Sequence, residues 1–294
     1  MKQFFVDEEG IKARISEWGS KEDPVIICLH GLGSTNLSFL ELGELLSNRY
    51  HIFSIELPGH GKTPAFKNDE DYGIPNLIRW VSKVIESIEK DNFYLMAHSW
   101  GGCIALHYAA QYPERVNKIL LLDGGYHIKQ FQYDYFAKVD KKHLSFKPDC
   151  SLEEEIQSYE TDFNGYIFSS WDDFLYVERN NYLRWSELLE QASKDLMKEE
   201  EDGEIRFCAS GDTARGAIKS MYNYPTNLLY NKLEVPILLL QSTLPESWRE
   251  IRTLQVKKFE KGMNTVVKII EGTTHLLHWD KPELIAEEVI RWMK

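Results

Sequence analysis

One serine stands where it could act as a nucleophile. Ala97-His98-Ser99-Trp100-Gly101-Gly102 follows the apolar run FYLMA and opens the helical pattern GGCIALHYAAQ. A serine hydroxyl attacks a carbonyl only when a base takes its proton and a sharp strand-to-helix turn presents the oxygen. Such a turn tolerates only small neighbours, because a bulky side chain would strike the strand or the helix; Ala97 and Gly101 satisfy this. Acyl transfer also needs donors aimed at the oxyanion that develops, and losing one costs roughly 3 kcal/mol. His30-Gly31-Leu32-Gly33, directly after the run VIICL, supplies glycines that can turn backbone amides inward. The N–H groups of Leu32 and Trp100 are therefore assigned to an oxyanion hole.

Three histidines compete for the role of base. His60 lies in Glu56-Leu57-Pro58-Gly59-His60-Gly61, where Pro and Gly shape a tight loop and a structural role is favoured. His275 and His278 lie in Gly272-Thr273-Thr274-His275-Leu276-Leu277-His278-Trp279-Asp280-Lys281-Pro282, between the last strand-like run and the last helix. A histidine on such a loop can reach a serine at the same edge of a sheet.

These segments need a scaffold, and the chain's periodicity describes one. Short apolar runs at residues 4–6, 12–17, 25–29, 52–55, 93–97, 118–122, 236–241 and 266–270 read as eight strands, the first two as a hairpin. Continuous runs such as VIICL and KILLL mark strands buried on both faces. Helical spacing appears over 37–46, 75–89, 101–111, 248–259 and 282–293. The predicted fold is α/β, a mostly parallel central sheet of about eight strands with helices on both faces. The alternation stops over residues 126–225, with helical pieces at 152–159 and 182–198. That stretch reads as an inserted helical cap on a core of 1–125 and 226–294. It is rich in aromatics, among them Phe131, Phe163, Tyr166, Trp171, Phe174, Tyr182 and Trp185, which could line an apolar cavity or bind the cap to the core.

Composition narrows the partners. Of 294 residues, 46 are acidic and 34 basic, a formal net charge of -12 that disfavours nucleic acid and anionic membrane surfaces. No apolar run approaches a membrane span, and MKQFFVDEEG lacks the core of a signal peptide. Cys28, Cys103, Cys150 and Cys208 form no CxxC pair, and the first two fall in apolar elements as buried small hydrophobes. These features predict a cytoplasmic enzyme acting on a small-molecule substrate, with no metal and no cofactor. HGLG also lacks the Lys and Ser/Thr of a phosphate-binding loop. Oligomeric state is unreadable.

HGLG, ELPGHG, AHSWGG and GTTHLLHWDKPE, in that order, resemble the α/β-hydrolase superfamily, in its lid-bearing esterase, C–C hydrolase and dehalogenase-like branch. In that family the catalytic histidine precedes an acid by five residues and a proline by seven. His275, Asp280 and Pro282 match, which favours His275 over His278. The resemblance implies a triad in the order Ser, acid, His. The usual acid position, after the strand at 236–241, holds Pro245, with Glu246 one residue late. Some branches place the acid after the strand that follows the serine's helix, where Asp123 stands 24 residues beyond Ser99. Asp123 is the first choice and Glu246 the alternative. Halide removal needs a carboxylate nucleophile, which Ser99 is not. The reading is a carboxylesterase-like hydrolase of a small ester, thioester or amide. A C–C bond hydrolase and a slow-turnover ligand sensor that signals to a protein partner are the alternatives.

Overall fold

The structure, a computed structural model, describes residues 1–8, 10–139 and 147–294. Its centre is an eight-stranded sheet in the order β1-β2-β4-β3-β5-β6-β10-β11. The strands are β1 (Lys2–Glu8), β2 (Ile11–Trp18), β3 (Val25–Leu29), β4 (His51–Ile55), β5 (Phe93–His98), β6 (Val116–Leu122), β10 (Ile237–Ser242) and β11 (Thr265–Ile270). β1 and β2 pair antiparallel, β2 pairs antiparallel with β4, and the remaining neighbours run parallel. The eight predicted strands are all present. Ile26 to Leu29 and Leu120 to Leu122 are fully buried, as continuous apolar runs demand of strands covered on both faces.

The covering helices follow the predicted spacing. α1 (Leu40–Leu46), α2 (Ile74–Ser87), α3 (Trp100–Gln111), α9 (Arg249–Gly262), a one-turn α10 (Leu277–Asp280) and α11 (Pro282–Met293) alternate with the strands. In α2, Pro75 occupies the first turn, where its missing N–H costs nothing, and Leu77, Trp80, Val81, Val84 and Ile85 bury one stripe.

Between β6 and β10 lie α4 (Lys129–Phe136), α5 (Leu152–Gly165), β7 (Ile167–Phe168), α6 (Trp171–Asn181), α7 (Glu187–Asp195), β8 (Met197–Glu199), β9 (Ile205–Phe207) and α8 (Gly211–Asn223). The expectation of a purely helical insert needs correction. The three short strands form their own antiparallel sheet, and the helix foreseen over 182–198 ends at Asp195. Two- and three-residue strands are too short to show a period of two. Helices α5 to α8 each begin on a serine, Ser151, Ser170, Ser186 and Ser210, whose hydroxyl accepts from the backbone N–H three residues on. Each such cap stabilises its helix by about 1 kcal/mol. We propose that this insert acts as a cap over the sheet.

Ion pairs hold the insert to the sheet. Arg14 on β2 is buried; its Nε donates to both Glu56 oxygens at 3.1 and 3.2 Å, and its Nη1 donates to Asp195 of α7 at 2.8 Å. Arg184 clamps Glu41 of α1 through two bonds of 2.7 and 2.8 Å. Glu56 is fully buried, so its charge depends on Arg14. Arg14→Met should cost about 3–5 kcal/mol, the penalty for stranding a buried ion. A urea midpoint unchanged from wild type would contradict this assignment.

Candidate active site

Parallel strands deliver their C-terminal ends to one edge, and every candidate segment sits there. The loops after β3, β5, β6, β10 and β11 carry Leu32, Ser99, Asp123, Pro245 and His275 respectively. β5 lies between β3 and β6, with Ala97 beside Leu29 and His98 beside Leu122.

Ser99 occupies the turn from β5 into α3 at φ +51° and ψ -118°. That region is costly for a residue with a Cβ, so the surroundings must impose it. They do so by close approach. A Cβ on Gly101 would lie 2.3 Å from the Leu29 carbonyl oxygen, and one on Gly124 would lie 2.4 Å from the Ser99 nitrogen. Trp100 is the first residue of α3, whose opening N–H groups lack partners within the helix. Leu32, Ser99 and His275 line one cavity of about 630 Å³.

His275 is held from two sides. Its Nδ1 donates to Asp123 Oδ2 at 2.8 Å, which leaves Nε2 as the free ring nitrogen. Asp123 is fully buried at the end of β6 and takes three further bonds: Tyr126 Oη at 2.8 Å, Ser242 N at 3.2 Å and Ser242 Oγ at 2.6 Å. Burial alone would raise the Asp123 carboxyl, but the hydrogen bond and charge of His275 outweigh it and hold the group well below the usual carboxylate range. Glu246 is not part of this arrangement. It is exposed and pairs with Arg249 at 2.7 Å. Asp280 accepts from Thr274 N at 2.6 Å and Thr274 Oγ1 at 2.8 Å, which closes the turn bearing His275.

Neutral histidines brace the loops. His30 Nε2 accepts from Leu57 N at 2.9 Å, and His60 Nε2 accepts from Gly33 N at 3.0 Å, so these rings tie the HGLG loop to the LPGHG loop. His278, the rival base, is buried against Phe39 and bonded to Ser38 Oγ at 2.9 Å. His98, which the sequence reading passed over, donates from Nε2 to the His275 carbonyl at 2.9 Å. Its ring lies 4.6 Å from that of His275 and 4.8 Å from that of His278. Burial pushes His60 down to about 4, His278 down to about 3, and His98 well below the ordinary histidine value.

The cavity wall is more polar than a cap rich in aromatics suggests. Phe163, Tyr166 and Tyr182 line it, as do Tyr159 and Phe207, but Phe174 is buried away from it. Lys129, Glu155, Glu178 and Arg252 line it too. Lys129 and Tyr133 both donate to Glu155, and Tyr166 and Tyr182 both donate to Glu178. Ser242, Tyr126 and Arg252 carry no local motif and went unforeseen.

A family model described as alpha/beta hydrolase fold matches residues 24–282. The chain belongs to the alpha/beta hydrolase fold family. Among relatives, Epoxide hydrolase 1 of Caenorhabditis elegans is 23% identical over 98% of this chain and 69% of its own. Serine hydrolase-like protein of Mus musculus is 33% identical over 36% of this chain and 34% of its own, so the match spans about a third of that relative. Among solved structures, a thioesterase domain from the curacin biosynthetic pathway superposes with a TM-score of 0.72 at 18% identity, covering 99% of both chains. The epoxide hydrolase VrEH1 from Vigna radiata superposes with a TM-score of 0.72 at 17% identity, covering 99% of this chain and 97% of that one. Hydrolysis is the chemistry these names share. Among the described residues no helix is long and apolar enough to cross a membrane.

The buried histidines set how the fold responds to acid. An unfolded histidine binds its proton at about pH 6.5, whereas His60 and His278 stay neutral until about 4 and about 3. Between those values the unfolded chain holds more protons, so stability is full above about pH 6.5 and falls as the pH drops. At about pH 5 each ring should cost roughly 2 kcal/mol. Asp123 contributes its loss at lower pH, through the carboxylate range. Urea unfolding across this range checks the slope, and His278→Gln should make it shallower by about one proton. A stability flat from about pH 7 to about pH 5 would refute the neutral-ring assignment.

Proposed function

We propose that this protein is a serine hydrolase that cleaves a small ester, thioester or amide through a Ser99–His275–Asp123 triad and an acyl-enzyme intermediate. The observation that carries the reading is the 2.8 Å bond from His275 Nδ1 to a buried carboxylate whose other partners are all donors, on a ring that shares its cavity with Ser99. That bond fixes the tautomer in which Nε2 can accept a proton. Ser99 Oγ attacks the substrate carbonyl and gives its proton to Nε2. The tetrahedral oxyanion takes donors from the N–H groups of Leu32 and Trp100. The imidazolium, stabilised by Asp123, returns its proton to the leaving group as the carbonyl re-forms. Water, deprotonated by the same nitrogen, then releases the acid and restores Ser99.

The nucleophile favours acyl transfer over epoxide or halide chemistry. An alkyl-ester intermediate needs a carboxylate at the elbow, whose own carbonyl water can later attack. Position 99 holds a hydroxyl instead.

Ser99→Ala should abolish labelling by a fluorophosphonate probe and cut kcat on model esters by about 10⁵-fold or more. Asp123→Asn should leave the fold intact and lower kcat by about 10⁴-fold, whereas Glu246→Gln should stay within about twofold of wild type. Retained labelling in Ser99→Ala, or full turnover in Asp123→Asn, would remove the respective residue from the mechanism.

A further inference from the structure

One buried charge on the cavity wall lacks a partner. Arg252, in the first turn of α9, is 5% exposed and lines the cavity beside His127 and Trp248. Its Nη1 is buried with no hydrogen-bond partner, and among the described residues no carboxylate forms an ion pair with it. A guanidinium cannot shed its proton to escape burial, so it keeps its charge and an unmet demand for acceptors.

The other charges around the cavity do not meet that demand. Asp162 lines the cavity but is exposed and forms no ion pair with Arg252. Lys129 and Tyr133 occupy Glu155, while two phenols occupy Glu178. Asp123 lies within electrostatic reach of Arg252. Yet each of its oxygens already accepts two bonds, Oδ1 from Tyr126 and Ser242 N, Oδ2 from Ser242 Oγ and His275. An ionised carboxylate offers about four lone-pair sites, so Arg252 finds none free there.

We propose that Arg252 receives a carboxylate of the substrate, so that the molecule hydrolysed carries an anionic group away from its scissile carbonyl. This rests on the serine-hydrolase reading of the same cavity. A planar guanidinium matches the two oxygens of a carboxylate in a bidentate pair. A phosphate monoester fits less well. It carries nearly two charges, and the cavity adds Glu155 and Glu178 to face one unpaired cation. The proposal also revises the substrate expected from the aromatic content of the insert, from a wholly apolar ester to one with an apolar body and an acidic end.

The test compares mono-para-nitrophenyl esters of succinate, glutarate and adipate with neutral para-nitrophenyl esters of matching chain length. Their affinities for Ser99→Ala protein, measured by titration calorimetry, do not depend on turnover. At the best length the anionic ester should bind at least about tenfold tighter than its neutral match. Adding Arg252→Gln should reduce that ratio to below about twofold, while Arg252→Lys, which keeps the charge, should retain part of it. Equal binding of the two series to Ser99→Ala overturns the proposal, and so does a ratio that survives in Arg252→Gln. If Arg252 served only to support Asp123, its loss would move the pH profile of kcat and leave the ratio intact, which also overturns it. Failure of the nucleophile reading is separate: it appears as esterase turnover undiminished in Ser99→Ala, whatever the affinity ratio.

Discussion

The site depends on a carboxylate that the fold removes from water and then saturates. Moving an ion of this size into the interior costs several kcal/mol. Asp123 offsets that with four donors, and charge-assisted bonds of this kind each contribute about 1.5–3 kcal/mol. The donors come from different parts of the chain. Tyr126 lies three residues on, Ser242 ends the neighbouring strand β10, and His275 sits on the loop after β11. Asp123 N also donates to the Leu240 carbonyl at 2.8 Å, so the residue is fixed at both backbone and side chain. Its φ of +44° is strained for a residue with a Cβ, and these bonds hold it there. Any slip of β10 against β6 would break the Ser242 bonds that fix the carboxylate facing His275, so the register of the sheet and the orientation of that ring are one constraint.

Around this carboxylate, environment rather than residue type sets one histidine apart from the others. His30, His60, His98 and His278 are buried, and burial disfavours their charged forms. His30 and His60 act as struts bonded through both ring nitrogens, whereas His98 and His278 each bond through Nε2 alone. His275 differs: its side chain is 42% exposed and its Nδ1 faces Asp123. His98 links the two groups of histidines, because it stands next to Ser99 in sequence and bonds the backbone of His275 in space. The turn bearing Ser99 and the loop bearing His275 are thereby joined without going through either side chain.

How much of this was legible follows from the length scale of each signal. The sheet was readable because runs such as VIICL and KILLL are long, apolar and flanked by glycine. The serine turn was readable because close backbone approach admits only small residues at positions 101 and 102. Asp123 could be ranked above Glu246 on the sequence only by resemblance, because which carboxylate meets a ring nitrogen is a question of strand order, and strand order is non-local. The strands β7, β8 and β9 are shorter than any period they could display. Arg252 was invisible for a different reason. A lone arginine in the mixed sequence RTLQVKKFEKG reads as part of a solvated helix face, and only burial against the cavity distinguishes it. Sequence patterning reports which residues a local element hides and is silent on which charges a distant element leaves unpaired.

The charges at the cavity divide by layer, and the division bears on how the insert can function. On the insert side, Glu155 and Glu178 are satisfied by insert residues, a lysine and three tyrosines. On the sheet side, Asp123 is satisfied by residues of the strand ends and by Tyr126, the first residue of the insert, with Arg252 nearby. Glu155 and Glu178 thus complete their bonding within the insert, whereas Asp123 takes one of its four bonds from it. Many links cross between the layers, among them Arg14 to Asp195, Arg184 and Ser186 to Glu41, Lys219 and Arg215 to Asp69, and Tyr135 to Glu250. Small displacements of the insert would leave Glu155 and Glu178 paired, because their partners move with them. The cost of such motion falls on the apolar contacts and on the crossing links, above all those that hold the buried Glu41. The insert can therefore adjust to a ligand without stranding its own two carboxylates, but only as far as the links to Glu41, Asp69 and Asp195 allow.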